Sequence, residues 1–320
     1  MTEANIFQRV ETSYDLSRMQ QSRIISVGCG GARSFLEEMA RCGVGEFVLI
    51  DWDVVEAKNV GTQDVFLEDI GRPKVECVAD RIVRINPDAK VAVYQKAIEE
   101  IDDSDFAFIT SSLLFASDPL QSVVHIPAPE STLLCGMTDN FYAQARTHRL
   151  SLQFGLPSLC CQLYRFGQAG EITFTYPGVT PACQRCILSP RYKAYLEKGY
   201  KNDVTSDGAP IFATTRINAL CGLLALAMLH HGTNHPFWGE VLSRIGNRSL
   251  VQIRMHPDTP LSIFTRVFAG GDSDCIYFDE AVWLAQPPDP DCPDCHGTGD
   301  LRKVYHTFAD TRVMPSLKVT

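Results

Sequence analysis

The sequence predicts an α/β fold in which a doubly wound, mostly parallel sheet is extended by antiparallel strands. A β-branched segment, residues 23–27, runs directly into a glycine turn and then into a segment with helical spacing. Strand and helix patterns keep alternating through the first half of the chain, which indicates a parallel sheet with helices on both faces. Beyond Gly155 the pattern changes to strands that favour antiparallel pairing.

The elements of the first half follow from the spacing of their apolar residues. Arg23–Val27 is a short buried strand, and apolar residues then recur at helical spacing from Phe35 to Cys42. The second buried strand, Phe47–Ile50, ends at Asp51, and Pro73 opens a further helix with one apolar face. Three more segments are strand candidates: Lys90–Tyr94, Phe106–Ile109 and Thr132–Gly136.

The second half is less regular. Residues 111–131 contain three prolines and are interpreted as an insertion between two strands. Ser158–Leu163 and Glu171–Tyr176 are predicted antiparallel strands, Ile211–His230 one long helix, and Leu250–Met255 a last strand. No sharp linker divides the chain, so we expect an N-terminal arm, residues 1–20, and a single elaborated domain, residues 21–320.

Composition limits the classes of function. The 320 residues include 29 basic and 38 acidic side chains, a net charge of −9, which argues against broad binding to nucleic-acid phosphates. The longest apolar run, Ala219–Leu229, is about half the roughly 20 residues that span a bilayer, so no membrane segment is expected. Residues 1–9 do not have the pattern of a secretory signal or transit peptide, and a cytoplasmic protein is therefore expected.

The glycine turn is the first candidate site. Gly28, Gly30 and Gly31 lie between a strand and a helix, where free backbone N–H groups and the helix dipole attract phosphate. Asp51, at the end of the next strand, is a candidate for binding a ribose hydroxyl. Arg33 replaces the third glycine of the usual fingerprint, and a purely structural tight turn is the alternative interpretation.

Two features favour ATP over a dinucleotide. Lys74 lies in the first turn of a helix that leaves the ligand-binding edge of the predicted sheet, where an ammonium group can neutralise phosphate charge. Asp139 follows the strand Thr132–Gly136, and a carboxylate there can hold Mg²⁺ between phosphates. The alternatives are a solvated lysine and a carboxylate that caps the following helix.

Two Cys-x-x-Cys pairs predict a metal site. Cys183 and Cys186 form one pair, and Cys292 and Cys295 form the other. In a protein with reduced thiols this pattern is typical of a structural Cys₄ zinc site, here tying a mid-chain loop to the C-terminal tail, residues 285–300. A redox-active pair is the alternative, and His296 is an alternative ligand.

In this order the motifs resemble the ThiF/MoeB/ubiquitin-activating superfamily, whose members adenylate the C-terminal carboxylate of a small ubiquitin-like or sulfur-carrier protein. The resemblance extends from about residue 22 to residue 295. Its most specific part is the block Asp51-Trp52-Asp53-Val54-Val55 with Asn59 and Gln63, followed by Arg72-Pro73-Lys74. Further matches are Gly28–Gly31, Gly43–Gly45, Arg84–Pro87, Thr138–Asn140 and both cysteine pairs.

The resemblance implies an ATP site and its cofactors. Asp51 would bind the ribose, Asn59 would help to position the nucleotide, and Lys74 would contact the phosphates. Asp139 would bind Mg²⁺. The nucleotide-binding set as a whole is Gly28, Gly30, Gly31, Asp51, Asp53, Asn59, Gln63 and Lys74. The resemblance also implies a structural zinc ion at the four cysteines, a homodimer, and a partner protein that ends in Gly-Gly.

Three departures from the family pattern matter. Thr62 stands where an arginine is usual, and we hypothesise that Arg33 supplies the missing charge. Arg9 is the candidate for an N-terminal arginine that many members insert into the other subunit's site. The crossover loop, about residues 187–210, contains no cysteine, so no thioester is expected on it and the acyl-adenylate would be captured by another group.

Two other functions stay open from the sequence. The glycine turn and Asp51 alone would suit an NAD-dependent oxidoreductase, whereas Thr62 and Arg33 favour a non-catalytic scaffold with the same fold. The basic and aromatic residues of the crossover loop would contact an acidic partner or form a solvated face. These residues are Arg191, Tyr192, Lys193, Tyr195, Lys198, Tyr200 and Lys201.

Overall fold

The computed structural model describes residues 6–115, 131–198, 208–255, 280–304 and 311–312. The strands are β1 (Arg23–Val27), β2 (Glu46–Ile50), β3 (Lys90–Tyr94), β4 (Thr132–Gly136), β5 (Ser158–Leu163), β6 (Ala169–Thr175), β7 (Leu250–Arg254) and β8 (Glu280–Leu284). The α-helices are α1 (Leu16–Gln20), α2 (Arg33–Arg41), α3 (Lys74–Ile85), α4 (Asp103–Thr110), α5 (Phe141–Phe154), α6 (Gln184–Ile187), α7 (Ser189–Lys198), α8 (Ile211–Leu229) and α9 (Val241–Ile245). Short 3₁₀ helices span Ala57–Gly61, Leu67–Asp69, Ile98–Glu100, Ser112–Phe115, Arg165–Gly167 and Leu301–Val304.

The strands form one eight-stranded sheet in the order β3-β2-β1-β4-β5-β6-β7-β8. The pairs from β3 to β5 are parallel, and those from β5 to β8 are antiparallel. The order 3-2-1-4 reverses direction between β1 and β4, which is the switch point where doubly wound sheets bind ligands. The predicted fold class is confirmed.

Helices cover both faces of the parallel half, because consecutive strand residues point to opposite faces. In β1, Ile24 belongs to one buried cluster with residues of α2, α3 and α8, whereas Ile25 belongs to another with residues of α4 and α5. The buried face of α2 carries Phe35, Leu36 and Met39, which realises the predicted helical spacing.

Three elements differ from the sequence prediction, and one of them is α7, Ser189–Lys198, which lies inside the predicted crossover loop. Phe106–Ile109, predicted as a strand, lies in α4, because the Asp102 side chain accepts a hydrogen bond from the Asp105 N–H and caps a helix at that point. Strand β8 was not predicted. It is the last strand of the sheet, and none of its residues is fully buried. Of the predicted insertion at residues 111–131, the segment 116–130 lies outside the described residues.

Helix α8 is a core element. Its 19 residues are long and apolar enough to cross a membrane by length and composition, but 61% of its most apolar window is buried inside the fold. It packs along α2 and across β4 and β5. The burial is what a core helix of a folded domain requires.

The described part of the N-terminal arm packs against the end of α8. The Asp15 N–H donates to Nε2 of His230 (3.0 Å), and the Trp238 Nε1–H donates to the Ser13 carbonyl (2.9 Å). Phe7 and Tyr14 are buried. Residues 6–20 therefore belong to the same packed body as the sheet.

Candidate functional site

A cavity of about 350 Å³ opens at the carboxyl ends of β1, β2 and β4. It lies at the switch point of the sheet and falls within the usual size range of small-molecule sites, roughly 300–1,000 Å³. Many of the residues predicted to bind the nucleotide or its metal line it: Gly28, Gly30, Gly31, Asp51, Asp53, Gln63, Lys74 and Asp139. The structure thus gathers segments that are far apart in the sequence around one space.

The glycine turn needs its glycines for close packing. Gly28 has φ +94°, and a Cβ at this position would lie 2.4 Å from the Met137 carbonyl oxygen. A Cβ at Gly30 would lie 2.7 Å from Oε1 of Gln63. Within the described part of the chain no side chain caps the N-terminus of α2 at Ala32, so the first N–H groups of this helix are left as donors for a ligand.

Asp51 is held by backbone N–H groups. Its carboxylate accepts hydrogen bonds from the Cys29 N–H (2.8 Å) and the Asp53 N–H (3.0 Å). Burial raises the pKa of Asp51, and these two hydrogen bonds oppose that rise because they favour the ionised form. The arrangement fixes an acceptor at the end of β2, where a ribose hydroxyl is bound in nucleotide sites of this topology.

Lys74 is paired and nearly buried. Its ammonium group lies 2.5 Å from Oδ2 of Asp53, and the Lys74 side chain is 8% exposed. The solvated-lysine interpretation is therefore wrong. An ammonium group held at the wall of a cavity can interact with phosphate without first losing a full hydration shell.

Asp139 lines the cavity beside the start of α5. The N-cap of α5 is Asn140, whose Oδ1 accepts from the N–H groups of Tyr142 (2.9 Å) and Ala143 (3.2 Å), so Asp139 is not the cap. Gln144 steadies the same loop, because its Nε2 donates to the Thr138 carbonyl at 2.5 Å. A carboxylate at this place suits a hard cation such as Mg²⁺.

Asn59 does not line the cavity. It is buried, and its Oδ1 accepts the Glu56 N–H (2.8 Å) in the capping box of the 3₁₀ helix Ala57–Gly61. Its position thus shapes the segment that carries Gln63. Arg9 is exposed and does not line the cavity of its own chain. A direct nucleotide contact for either residue stays a prediction.

The Arg33 side chain is also outside the cavity lining. It is 1% exposed, and its nearest charged partner is the Asp69 carboxylate, 3.6 Å away. None of its three guanidinium nitrogens has a hydrogen-bond partner among the described residues. Burial, followed by repulsion from Arg81, lowers the pKa of Arg33. Contact with a bound phosphate would require this side chain to leave its buried position.

The cavity is acidic. Asp51, Asp53 and Asp139 line it together with Lys74, which carries the one positive charge among its described lining residues. Thr62 also lines the cavity, at the place of the usual arginine. An anionic ligand here needs positive charge beyond that of Lys74.

Two of the seven positive or aromatic crossover residues, Arg191 and Tyr192, make buried contacts within the fold. Arg191 donates to the buried Glu171 carboxylate at 2.6 Å, and Tyr192 is buried against Phe141. Lys193 is exposed and lies 3.9 Å from Glu197. Residues 199–207, with Tyr200 and Lys201, lie outside the described residues, as does the Lys198 side chain.

The four predicted metal ligands form one cluster. Their sulfur atoms all lie within 4.8 Å of one another, with separations such as 3.7 Å (Cys183–Cys186) and 3.4 Å (Cys186–Cys295). Four sulfur atoms around a tetrahedral zinc ion with 2.3 Å bonds are separated by roughly 3.8 Å, so the donor set fits zinc. All four cysteines are buried and free of disulfides.

A buried ion pair also links the two cysteine pairs. Arg185 lies inside the first pair and Asp294 inside the second, and their charged groups are 3.5 Å apart with 7% and 1% of their side chains exposed. Both oxygens of Asp294 lack a hydrogen-bond partner among the described residues, so the arginine is their main compensation.

Sequence reasoning missed Asn218 of α8 and Gln162 of β5, which also line the cavity. Gln162 donates to Glu171 (2.7 Å) and lies 3.4 Å from Nε2 of Gln144. The available signal for Asn218 was a polar side chain inside a long apolar helix. Nothing in the local sequence marks Gln162, because its position comes from tertiary packing.

A sequence model described as "ThiF family" matches residues 3–252 of the chain. That match includes the glycine turn, the whole cavity lining and the first cysteine pair.

Curated relatives are similar over part of their length. Ubiquitin-like modifier-activating enzyme 5 of Drosophila willistoni is 29% identical over 180 residues, covering 56% of this chain and 42% of the relative. The Caenorhabditis elegans protein of the same name is 32% identical over 246 residues, covering 76% and 54%. The chain spans about half the length of the curated relatives it matches.

Solved structures share the fold. E. coli MccB with succinimide has a TM-score of 0.59 and 16% identity, over 90% of this chain and 74% of that one. E. coli MccB with ATP has a TM-score of 0.56 and 16% identity, over 87% and 68%. At this level of identity the likeness establishes the architecture.

Proposed function

The chain belongs to the ThiF family, and on that premise we propose that it is an ATP-dependent adenylyltransferase. Its substrate would be the C-terminal carboxylate of a small ubiquitin-like or sulfur-carrier protein that ends in Gly-Gly. The observation that carries the proposal is the cavity at the switch point of the sheet, where the glycine turn, Asp51 and the buried Lys74 meet. Relatives named as ubiquitin-like modifier-activating enzymes support this class of substrate.

The side chains have separate roles in this proposal. The N–H groups at the start of α2 would bind phosphate oxygens, and Asp51 would accept a hydrogen bond from the ribose. Lys74 would stabilise the charge that builds up at the phosphates when the carboxylate attacks the α-phosphorus and pyrophosphate leaves. The nucleophile is already anionic, so the step depends on positioning and charge neutralisation more than on a base.

Asp139 would hold Mg²⁺, which when bound would neutralise phosphate charge next to the reacting carboxylate. The acidic cavity supports a need for such a cation, because Lys74 alone does not balance three carboxylates and a triphosphate. We also propose that the four-cysteine cluster holds a structural Zn²⁺.

In this proposal the acyl-adenylate does not react with a cysteine of the crossover segment to form a thioester. Residues 187–210 contain no cysteine in the sequence, and Cys221 in α8 is fully buried. Burial raises the pKa of Cys29 well above its usual range, so this thiol near Asp51 is also a poor nucleophile. We propose that a sulfur donor, an amine or the thiol of another protein captures the adenylate.

The test is ATP–pyrophosphate exchange with a small ubiquitin-like protein ending in Gly-Gly. We expect exchange that requires ATP, Mg²⁺ and the partner's free C-terminus, and none with a partner extended by one C-terminal residue. Intact mass spectrometry of the same mixture should show no reducible adduct between the two proteins. Exchange that is absent with every such partner, while ATP still binds, would contradict the proposal.

A non-catalytic scaffold is a second candidate because Thr62 stands at the cavity wall in place of the usual arginine. It would bind ATP and a partner without exchanging pyrophosphate. An NAD-dependent oxidoreductase would instead be stabilised against heat by NAD(H) and not by ATP–Mg²⁺, which a thermal-shift assay distinguishes.

A further inference from the structure

Asn218 joins α8 to the glycine turn. Its Nδ2 donates one hydrogen bond to the Gly31 carbonyl (2.6 Å) and another to Oγ of Ser34 (2.9 Å). The residue is 2% exposed and lines the cavity. Both protons of the amide are thus used to hold the segment that begins α2.

The Gly31 carbonyl is important because of the peptide group to which it belongs. The Gly31 carbonyl and the Ala32 N–H belong to the same peptide group. This N–H is one of the donors left without a side-chain cap at the start of α2. A glycine allows its peptide group to rotate at low cost. Gly31 and Ala32 both line the cavity, so rotation of this peptide group would change the dipole that a bound anion meets there.

We propose that Asn218 is a positioning residue that holds the Gly31–Ala32 peptide with its N–H available to the nucleotide phosphates. This inference rests on the proposed function, because it concerns the same cavity. It assigns to α8, the helix that directly follows the crossover segment, a part in phosphate binding that acts through the glycine turn. The link is specific to an amide, since it needs two donors on one planar group.

The experiment measures the dissociation constants of ATP and of adenosine for the full chain by calorimetry. Adenosine has no phosphate and is the internal control. For Asn218→Ala we expect the Kd of ATP to rise about tenfold while the Kd of adenosine changes less than about twofold. Asn218→Leu keeps a similar side-chain volume and removes both donors without adding charge, so we expect a loss of ATP affinity of similar size.

Asn86 provides a matched control at the opposite edge of the sheet. It is 3% exposed, and its Nδ2 also donates to a backbone carbonyl, that of Val44 (3.3 Å). Asn86→Ala should lower the unfolding temperature in a similar way and leave the ratio of the two dissociation constants unchanged. This variant separates a loss of stability from a loss of phosphate binding.

The outcomes distinguish the inference from the proposed function. If the wild-type chain does not bind ATP at all, both are overturned. If the wild-type chain binds ATP and both Asn218 variants bind it equally well, only the inference is overturned. A parallel loss of ATP and adenosine affinity in these variants would mean a structural role and would also overturn the inference.

Discussion

The Lys74 ammonium group lies 2.5 Å from the Asp53 carboxylate, and the backbone repeats the contact because the Lys74 N–H donates to the Asp53 carbonyl (3.0 Å). Next to this contact, an isolated antiparallel β-bridge pairs Val54 with Pro73. The start of α3 is therefore fastened to the loop that follows β2. This contact places a cation and a carboxylate side by side at the cavity wall.

Lys74→Ala is the first prediction. We expect the rate of ATP–pyrophosphate exchange to fall by about 10²-fold or more, since one preorganised charge at the phosphates is lost. Lys58→Ala is the matched control, because Lys58 also lies 2.5 Å from a carboxylate, that of Glu56, but is 78% exposed. The control should retain the wild-type rate. A Lys74→Ala variant with more than about a third of that rate would remove Lys74 from the mechanism.

Residues at the ends of sheet strands could be predicted from the sequence, because parallel strands bring their carboxyl ends to one edge. Gly28 after β1, Asp51 after β2 and Asp139 after β4 all line the cavity for this reason. The spacing of apolar residues also predicted the strands of the sheet, except that β8 was missed and Phe106–Ile109 lies in α4. This part of the site depends on topology alone.

Residues placed by local capping or by distant packing could not be predicted in the same way. Asn59 is turned into a capping box, and Arg33 is buried beside Asp69. Asn218 reaches the glycine turn from a helix 187 residues further along the chain. This contact depends on how α8 packs on the sheet, which no spacing in the sequence encodes.

Arg33→Met tests whether this arginine replaces the missing one at Thr62. Among the described residues the guanidinium group has no hydrogen-bond partner, and its ion-pair partner Asp69 keeps Arg72 at 3.3 Å, so an apolar side chain of similar volume should give an equal or higher free energy of unfolding. We expect the Kd of ATP to stay within about twofold of wild type. A strong rise of the Kd or KM of ATP would instead support the hypothesis that Arg33 moves to the phosphates.

Thr62→Arg is the reciprocal change. It adds a cation to a cavity wall that otherwise carries Lys74 alone among its described residues, and the neighbouring Gly61 has open space around it. We expect ATP to bind several-fold more tightly, with a steeper dependence on salt than in wild type. Adenosine should show no gain, and equal gains for both ligands would contradict the electrostatic explanation.

Cys295→Ser tests the metal site. We expect wild-type protein to carry one zinc ion in native mass spectrometry, and the variant to lose it and to unfold at a clearly lower temperature, because metal binding contributes to folding. Cys77→Ala is the control, since Cys77 is an equally buried thiol outside the cluster. Its zinc content should equal that of wild type. A Cys295→Ser variant that keeps its zinc would exclude this ligand.

His148 gives a prediction about pH. It is fully buried, neither ring nitrogen has a hydrogen-bond partner among the described residues, and burial lowers its pKa to about 3, with Arg149 and Arg185 adding to the effect. Between pH 6.5 and about 3 the unfolded chain binds a proton at this residue that the folded chain does not. The free energy of unfolding therefore falls as the pH falls below about 6.5, by roughly 1.4 kcal/mol per pH unit from this residue alone.

His148→Leu removes this contribution while leaving every other titrating group in place. Urea unfolding of both proteins from pH 7.5 to pH 5 measures the difference. We expect wild type to lose stability faster than the variant below pH 6.5, and the two curves to run parallel above pH 7. Parallel curves over the whole range would show that His148 has the same pKa in the folded and the unfolded chain. The zinc content of both proteins is measured at each pH, because a loss of zinc would itself lower the free energy of unfolding.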